Sequence, residues 1–264
     1  MSHQPRKRFG QNFLHSPGVI RRIIDALNPA PDDHFVEIGP GQGAITQPLS
    51  QRAGRLDVIE IDRDLAAALA ATPWASAIHI HTADALTVDL ATLASGPASL
   101  RLAGNLPYNI STPLLFHMLD QQRWWRDAHV MLQKEVVERM AAAPGSRVYG
   151  RLTVALAARC EVTELFTIKP GAFRPAPRVQ SAFARLTPLP APLIAATAAP
   201  AFDALLRAAF GQRRKQLVNS LETLLSAAEI EKCGVDPTNR PEQLDVHAFV
   251  ALANAVVSNG SRLG

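Results

Sequence analysis

Apolar and polar positions alternate with two different periods along the first hundred residues. The stretch PGVIRRIIDAL at residues 17–27 has apolar residues at helical spacing and begins with proline, whose missing N–H costs nothing there. Short apolar runs after it predict strands, and further helical spacing predicts helices. In chain order these are strand 34–38, helix 44–53, strand 56–61, helix 65–71, strand 77–83 and strand 100–103. Such alternation forms parallel strands with crossover helices on both faces of one sheet. The pattern therefore predicts an α/β, Rossmann-like fold.

The second half of the chain has fewer strand patterns and ends in helical ones. Further strands are expected at HVMLQ, VTELFTI and VQSAFARL, with helices at EVVERMAAA and after Gly150. Residues 188–200 are rich in proline and alanine and poor in charge, as in a linker. Beyond them, helical spacing is found at residues 202–210, 214–225 and 246–257. We therefore expect a first domain at residues 1–188 and a small all-helical domain at 189–264.

Composition narrows the class of protein. The chain has 264 residues, of which 47% are hydrophobic, enough for a substantial core. No apolar stretch reaches the roughly 20 residues that span a bilayer, and the N-terminus lacks a signal core, so we expect a cytoplasmic protein. The two cysteines form no CxxC pair, and His79 and His81 have no third ligand at a suitable spacing, so no metal site is predicted.

A glycine-rich loop, EIGPGQG at residues 37–43, follows the first predicted strand. Its glycines permit a tight turn and close approach of a ligand, as in nucleotide-binding proteins. The carboxylate of Glu37 would repel the pyrophosphate of a dinucleotide, whereas it would attract a ligand that carries ammonium and sulfonium charges. S-adenosylmethionine has both charges. We therefore expect this cofactor rather than NAD.

Two further acidic residues end the next two strands. Glu60 stands about 20 residues past the loop, where a carboxylate can accept the ribose hydroxyls, and Asp84 can accept the exocyclic amine of the cofactor's adenine. Strand ends of a parallel sheet meet at one crevice. Asp62, in contrast, is expected only to cap a helix.

The stretch GNLPYNI closes the fourth predicted strand at the same crevice. The amide oxygen of Asn105 and the main-chain carbonyl of Leu106 could accept the two N–H groups of an adenine N6 amine and direct its lone pair at a methyl group. Pro107 would fix the turn, and Tyr108 would offer a stacking face worth about 1–3 kcal/mol per base. Catalysis would then depend on positioning and electrostatics.

These motifs resemble the bacterial small-subunit ribosomal RNA adenine N6,N6-dimethyltransferases, a family of class I methyltransferases. The resemblance extends from near the N-terminus to about residue 225 and rests on EIGPGQG, EID, ADA and six longer blocks: KRFGQNFL, NLPYNISTPLL, MLQKEVVERM, YGRLTV, AFRPAPRVQSA and FGQRRKQLVNSL. It implies transfer of methyl groups from S-adenosylmethionine to N6 of two adjacent adenosines in the 3′-terminal hairpin loop of 16S rRNA, during 30S subunit biogenesis. It also implies a set of cofactor-binding residues: Asn12, Leu14, Gly39, Gly41, Glu60, Asp84 and Asn105.

Clustered cations indicate where RNA would bind. Arg213, Arg214 and Lys215 are adjacent, at the predicted start of a helix, where the helix dipole disfavours cations. Because that placement costs stability, we interpret the cluster as a phosphate-binding group in the C-terminal domain. Arg174 and Arg178, in FRPAPR, are expected to contribute to the same RNA-binding surface. We expect the protein to act as a monomer.

Three alternatives remain open from the sequence. A large-subunit rRNA adenine dimethyltransferase of the macrolide-resistance type shares similar motifs, although Leu106 and the long helical tail favour the small-subunit enzyme. An RNA-binding ribosome-assembly checkpoint factor would retain the fold with catalysis secondary. An NAD-dependent dehydrogenase is disfavoured by Glu37 and by the lack of a suitably placed catalytic histidine or lysine.

Overall fold

The computed structural model describes residues 11–212 and 214–260. The chain divides into two compact units. The first holds the chain up to Val137 together with Thr163–Thr187, and the second holds Glu138–Val162 and the chain from Pro188 onward. The sequence predicts a first domain that runs to residue 188, whereas residues 138–162 group with the C-terminal part of the chain. The amino-acid composition does not change at residues 138 and 162, so no sequence pattern marks the points where the chain enters and leaves the second unit.

A seven-stranded sheet dominates the first unit. Its strands lie in the order β4-β3-β2-β5-β6-β9-β7, with these bounds: β2 His34–Ile38, β3 Arg55–Glu60, β4 His79–Thr82, β5 Leu100–Asn105, β6 Trp125–Gln133, β7 Cys160–Ile168 and β9 Ser181–Pro188. The first five in spatial order are parallel, and β9 runs antiparallel to β6. A separate two-stranded sheet joins β1 Phe13–Leu14 to β8 Phe173–Arg174. The expected α/β class and the strand pattern are confirmed.

Helices of the first unit cover this sheet. They are α1 Pro17–Leu27, α2 Thr46–Ser50, α3 Arg63–Ala70, α4 Ser111–Asp120 and α5 Lys134–Met140, the last of which ends in the second unit. Ile23, Ile24 and Leu27 of α1 are fully buried and share one hydrophobic cluster with Phe35 and Leu56 of the strands. Each such side chain contributes about 1.5–3 kcal/mol on burial. The apolar residues that recur at helical spacing in PGVIRRIIDAL thus form the face of α1 that packs on the sheet.

The second unit is helical. Its helices are α6 Arg151–Ala157, α7 Ala199–Gly211, α8 Leu217–Ser220, α9 Ala227–Lys232 and α10 Val246–Gly260. Tyr149 lies in its interior, donating its hydroxyl to the carbonyl of Leu244 at 2.8 Å, and its ring lies 6.2 Å from that of Phe210. Buried aromatics of this kind dominate the energy of a small core.

Two predicted helices are shorter than expected. The helix expected at residues 44–53 is regular only at Thr46–Ser50, because residues 41–45 form turns after the glycine loop. The helix expected at 214–225 is limited to Leu217–Ser220, since the N–H groups of Leu217 and Val218 donate to main-chain carbonyls of residues 239 and 237. Contacts from a distant loop replace the bonds that would have extended this helix.

Candidate active site at the carboxyl ends of the parallel strands

A cavity of about 200 Å³ opens where β2, β3 and β5 end, entirely within the first unit. Every residue that the sequence assigned to cofactor or target lines it: Asn12, Leu14, Gly39, Gly41, Glu60, Asp84, Asn105, Leu106, Pro107 and Tyr108. Glu37 also lines it. Parallel neighbours in the sheet explain this convergence, because their carboxyl ends share one edge.

The glycine loop turns through left-handed backbone conformations. The φ angles of Gly39, Gly41 and Gly43 are +68°, +56° and +81°, values that a residue with a Cβ atom adopts only under strain. A Cβ on Gly41 would also lie 3.1 Å from the ring of Phe13. Glycine is therefore required at Gly41 both by the backbone and by the close approach of the N-terminal segment.

The amide groups of this loop bond within the protein. Gly39 donates to the carbonyl of Ile59, Gly41 to the carboxylate of Glu60 at 3.2 Å, and Gly43 to the carbonyl of Pro40. The N–H groups of these three glycines are therefore not free helix N-terminal donors, and α2 begins only at Thr46. A loop of this kind admits a ligand by close backbone approach rather than by cradling a phosphate.

Glu60 is fixed from two sides. Its Oε1 accepts the N–H of Asp62 at 2.9 Å and its Oε2 accepts that of Gly41. The side chain is 5% exposed, and burial raises its pKa above the ordinary value. Each carboxylate oxygen has a second lone pair available for a ligand hydroxyl.

Glu37 is a fully buried carboxyl group of the cavity, and the hydroxyl of Thr46 only partly offsets the cost of burying its charge. It is 1% exposed, and its Oε2 has no hydrogen-bond partner among the described residues. Burial, with a further contribution from the charge of Glu60, raises its pKa to about 8. A buried acceptor without a partner is costly, and a cationic group in the cavity would satisfy it.

Asp84 and Asp62 have different surroundings. Asp84, half-buried at the cavity wall, accepts the N–H of Leu86 at 2.9 Å. Asp62 caps α3 by accepting the N–H of Asp64, as expected, and also accepts the side-chain amide of Gln11 at 3.3 Å. The sequence did not predict the second bond, because Gln11 and Asp62 lie far apart along the chain.

Asn105 and Tyr108 are each held by a hydrogen bond from another segment. The Nδ2 of Asn105 donates to the main-chain carbonyl of Asn12 at 2.9 Å. An amide with its nitrogen held in this way directs its oxygen to the opposite side. The hydroxyl of Tyr108 lies 2.5 Å from that of Ser181, and burial raises the pKa of the Tyr108 phenol, which therefore stays protonated at neutral pH.

The N-terminal segment forms one wall of the cavity. Residues 11–14 line it, and Phe13 and Leu14 pair with Arg174 and Phe173 of β8. Side chains of Gln11 and Phe13 thus belong to the site although the sequence assigned only Asn12 and Leu14. The motif FGQNFL indicated that this segment belongs to the site, but its sequence of apolar and polar residues does not show which of them line the cavity.

The predicted RNA-binding cations are exposed where the structure describes them. Arg174 is the second residue of β8, and Arg178 follows in the loop that leads to β9; both side chains are exposed. Arg214 and Lys215 are exposed in the second unit, in a turn that precedes α8, so they do not open a long helix as expected. Arg213 lies outside the described residues.

Within residues 11–212 and 214–260, no group of three or more His, Cys, Asp or Glu side chains is arranged to hold a metal ion. In the same part of the chain, none of the helices is long and apolar enough to cross a bilayer.

Comparison with known proteins identifies the family. The ribosomal RNA adenine dimethylase family model matches residues 2–257. The chain is 55% identical to "Ribosomal RNA small subunit methyltransferase A" of Xylella fastidiosa over 253 residues, covering 95% of each chain. It is 52% identical to the protein of the same name from Pseudomonas fluorescens, covering 96% of this chain and 94% of that one.

A solved structure shares the fold. The crystal structure of a dimethyladenosine transferase from Plasmodium falciparum superposes with a TM-score of 0.80 at 24% identity, covering 94% of this chain and 98% of that one. The fold, the residues of the cavity and the matches over nearly the whole chain all indicate the same family. The chain belongs to the ribosomal RNA adenine dimethylase family, whose members are S-adenosylmethionine-dependent methyltransferases.

Proposed function

We propose that the protein transfers methyl groups from S-adenosylmethionine to N6 of two adjacent adenosines in the 3′-terminal hairpin loop of 16S rRNA, during 30S subunit biogenesis. The observation that carries the proposal is the cavity itself, which combines the amide of Asn105 and the ring of Tyr108 with the three acidic residues and the glycine loop.

The residues of the cavity suit this cofactor. When bound, S-adenosylmethionine supplies an electrophilic methyl group on a sulfonium centre. Glu60 is placed to accept ribose hydroxyls, and Asp84 to accept an adenine amine. Glu37, buried without a partner for its Oε2, offers a counter-charge to an ammonium or sulfonium group. Asn12 and Leu14 would enclose the ligand from the N-terminal side, and Gly39 and Gly41 would admit it closely.

The chain's contribution to the chemistry is positioning. With its Nδ2 bonded to Asn12, Asn105 presents Oδ1 as an acceptor for one N–H of the target amine, and the carbonyl of Leu106 would accept the other. Both bonds favour a pyramidal nitrogen whose lone pair points at the methyl carbon. The new N–C bond forms as the C–S bond breaks, and a proton leaves the nitrogen for solvent. Tyr108 stacks on the base and Pro107 keeps the turn rigid.

Exposed cations would hold the RNA. We assign phosphate contacts to Arg174 and Arg178 in the first unit and to residues 213–215 in the second, because clustered cations gain affinity by releasing counterions from RNA. The target base has to leave its stack to reach the cavity, which costs a few kcal/mol and is easiest in a hairpin loop. We propose that the protein works as a monomer, in the cytoplasm, where ribosomal subunits mature.

The proposal is tested by incubating small subunits or their precursors with the protein and labelled cofactor, then analysing the rRNA by mass spectrometry. We expect two adjacent N6,N6-dimethyladenosines near the 3′ end of 16S rRNA. Methylation of large-subunit RNA instead would indicate the macrolide-resistance type of enzyme. Tight subunit binding without methyl transfer would indicate an assembly checkpoint factor.

A further inference from the structure

The hydroxyl groups of Tyr108 and Ser181 form a buried pair beside the cavity. They lie 2.5 Å apart, and Ser181 is completely buried at the first position of β9, opposite Gln133 of β6. Ser181 therefore sits on the rigid sheet, whereas Tyr108 belongs to the turn that follows β5. A hydrogen bond between them ties the ring to the sheet. Because Ser181 is completely buried, it does not contact a substrate directly, and its bond to Tyr108 is the link to the cavity.

The second methyl transfer makes a greater demand on this ring than the first. Unmodified adenosine has two N–H bonds at N6, which Asn105 and the Leu106 carbonyl can both accept. After one transfer the nitrogen carries one methyl and one hydrogen, so one of the two bonds is lost. The base is then held more by stacking than by hydrogen bonds, and stacking requires a ring held in position beside the base.

We propose that Ser181 is a positioning residue that holds the ring of Tyr108 in place at its hydroxyl end and thereby makes the enzyme a dimethyltransferase rather than a monomethyltransferase. The inference rests on the proposed function. In the second transfer, as in the first, a methyl leaves sulfur and bonds to N6, and the remaining N6 proton goes to solvent. Ser181 takes no part in bond making.

Ser181→Ala tests the proposal by the ratio of products. In single-turnover reactions on RNA carrying adenosine or N6-methyladenosine at the target, we expect the variant to slow the second transfer about fivefold more than the first, the factor that corresponds to one ordinary hydrogen bond. Monomethylated RNA should accumulate. Tyr108→Phe should give the same imbalance, and the double variant should be no worse than either single variant, because both remove one bond.

A spectroscopic measurement separates positioning from damage to the fold. The chain has two tyrosines, so tyrosine labelled with ¹³C at the ring carbon bearing the hydroxyl gives two NMR signals, and Tyr149→Phe assigns the Tyr108 signal. Ser181→Ala should shift that signal in the free protein. Ser99→Ala is the matched control, since its hydroxyl bonds to Ser95 and Gly96 within a turn before β5; it should change neither the signal nor the product ratio.

The outcomes are distinguishable from failure of the proposed function. A wild-type protein that does not methylate rRNA refutes the function itself. A dimethylating wild type together with a Ser181→Ala variant of unchanged product ratio refutes the role of Ser181. A shifted Tyr108 signal with equal slowing of both transfers also refutes it, because the bond would then serve catalysis without discriminating between the two steps.

Discussion

Binding of the cofactor should release a proton from Glu37. The carboxyl group is buried, and its pKa is raised to about 8, so at pH 7 most molecules of the free protein hold the proton. A cation bound beside it favours the carboxylate and lowers the pKa again. Glu37 is thus mostly protonated in the free protein and ionised in the complex with the cofactor.

The magnitude follows from this pKa. Most of one proton should leave per cofactor bound at pH 7, and the affinity should fall by up to about tenfold for each pH unit below 7, which is about 1.4 kcal/mol per unit. The cofactor's own α-amino group, with an ordinary pKa of roughly 7.7–8.0, stays protonated in this range. The sign is therefore set by Glu37: affinity increases as pH increases from 6 to 7.

Isothermal titration calorimetry in buffers of different ionisation enthalpy counts the protons directly. Glu37→Gln should bind more weakly at pH 8, release no proton, and lose the pH dependence between 6 and 7. Glu164→Gln, an exposed carboxylate on β7, is the control and should behave as wild type. The reasoning fails if wild type releases no proton at pH 7, or if Glu37→Gln releases as many.

Three further variants test other parts of the site. Asn105→Ala should keep cofactor affinity within a few-fold while single-turnover methyl transfer falls by at least 100-fold, about the loss of one electrostatic contact made in the transition state; undiminished transfer would exclude its assigned role. Replacing residues 213–215 with alanine should weaken RNA binding and reduce the slope of log affinity against log salt by about 2. Filter binding at several salt concentrations measures this slope. The control variant Arg52→Ala removes one exposed charge and should change the slope by no more than about 0.9. Gly41→Ala should lower both Tm and cofactor affinity, because it combines left-handed strain of about 1–2 kcal/mol with contact against an aromatic ring. Gly145→Ala, at φ +80° with open space around it, should show only the strain.

The sheet and its site were predictable for a common physical reason. Apolar runs specify buried parallel strands, and parallel strands bring their carboxyl ends together. Glu60, Asp84 and Asn105 each stand at such an end, so their convergence followed from strand order without knowledge of any contact. The bounds of α1 were likewise predictable, because one face of PGVIRRIIDAL packs on the sheet.

Other features depend on contacts between segments far apart in sequence. The helix at 214–225 is shortened by hydrogen bonds to residues 237 and 239, which no local pattern records. The bond between Ser181 and Tyr108 joins positions 73 residues apart, and a serine at the start of a strand gives no sign of its partner. Amphipathic spacing reports which face is buried but not what covers it.

The bond between Asn105 and the Asn12 carbonyl makes the site sensitive to a change of a single atom. Aspartate has almost the shape of asparagine, yet it would place one acceptor oxygen against another. Deamidation of Asn105 would thus leave the fold and its volume intact while replacing one bond to the N-terminal segment by a repulsion between two oxygens. An ageing preparation could lose turnover without any loss of helical signal, and an added negative charge with an intact-mass increase of about one dalton would reveal the change.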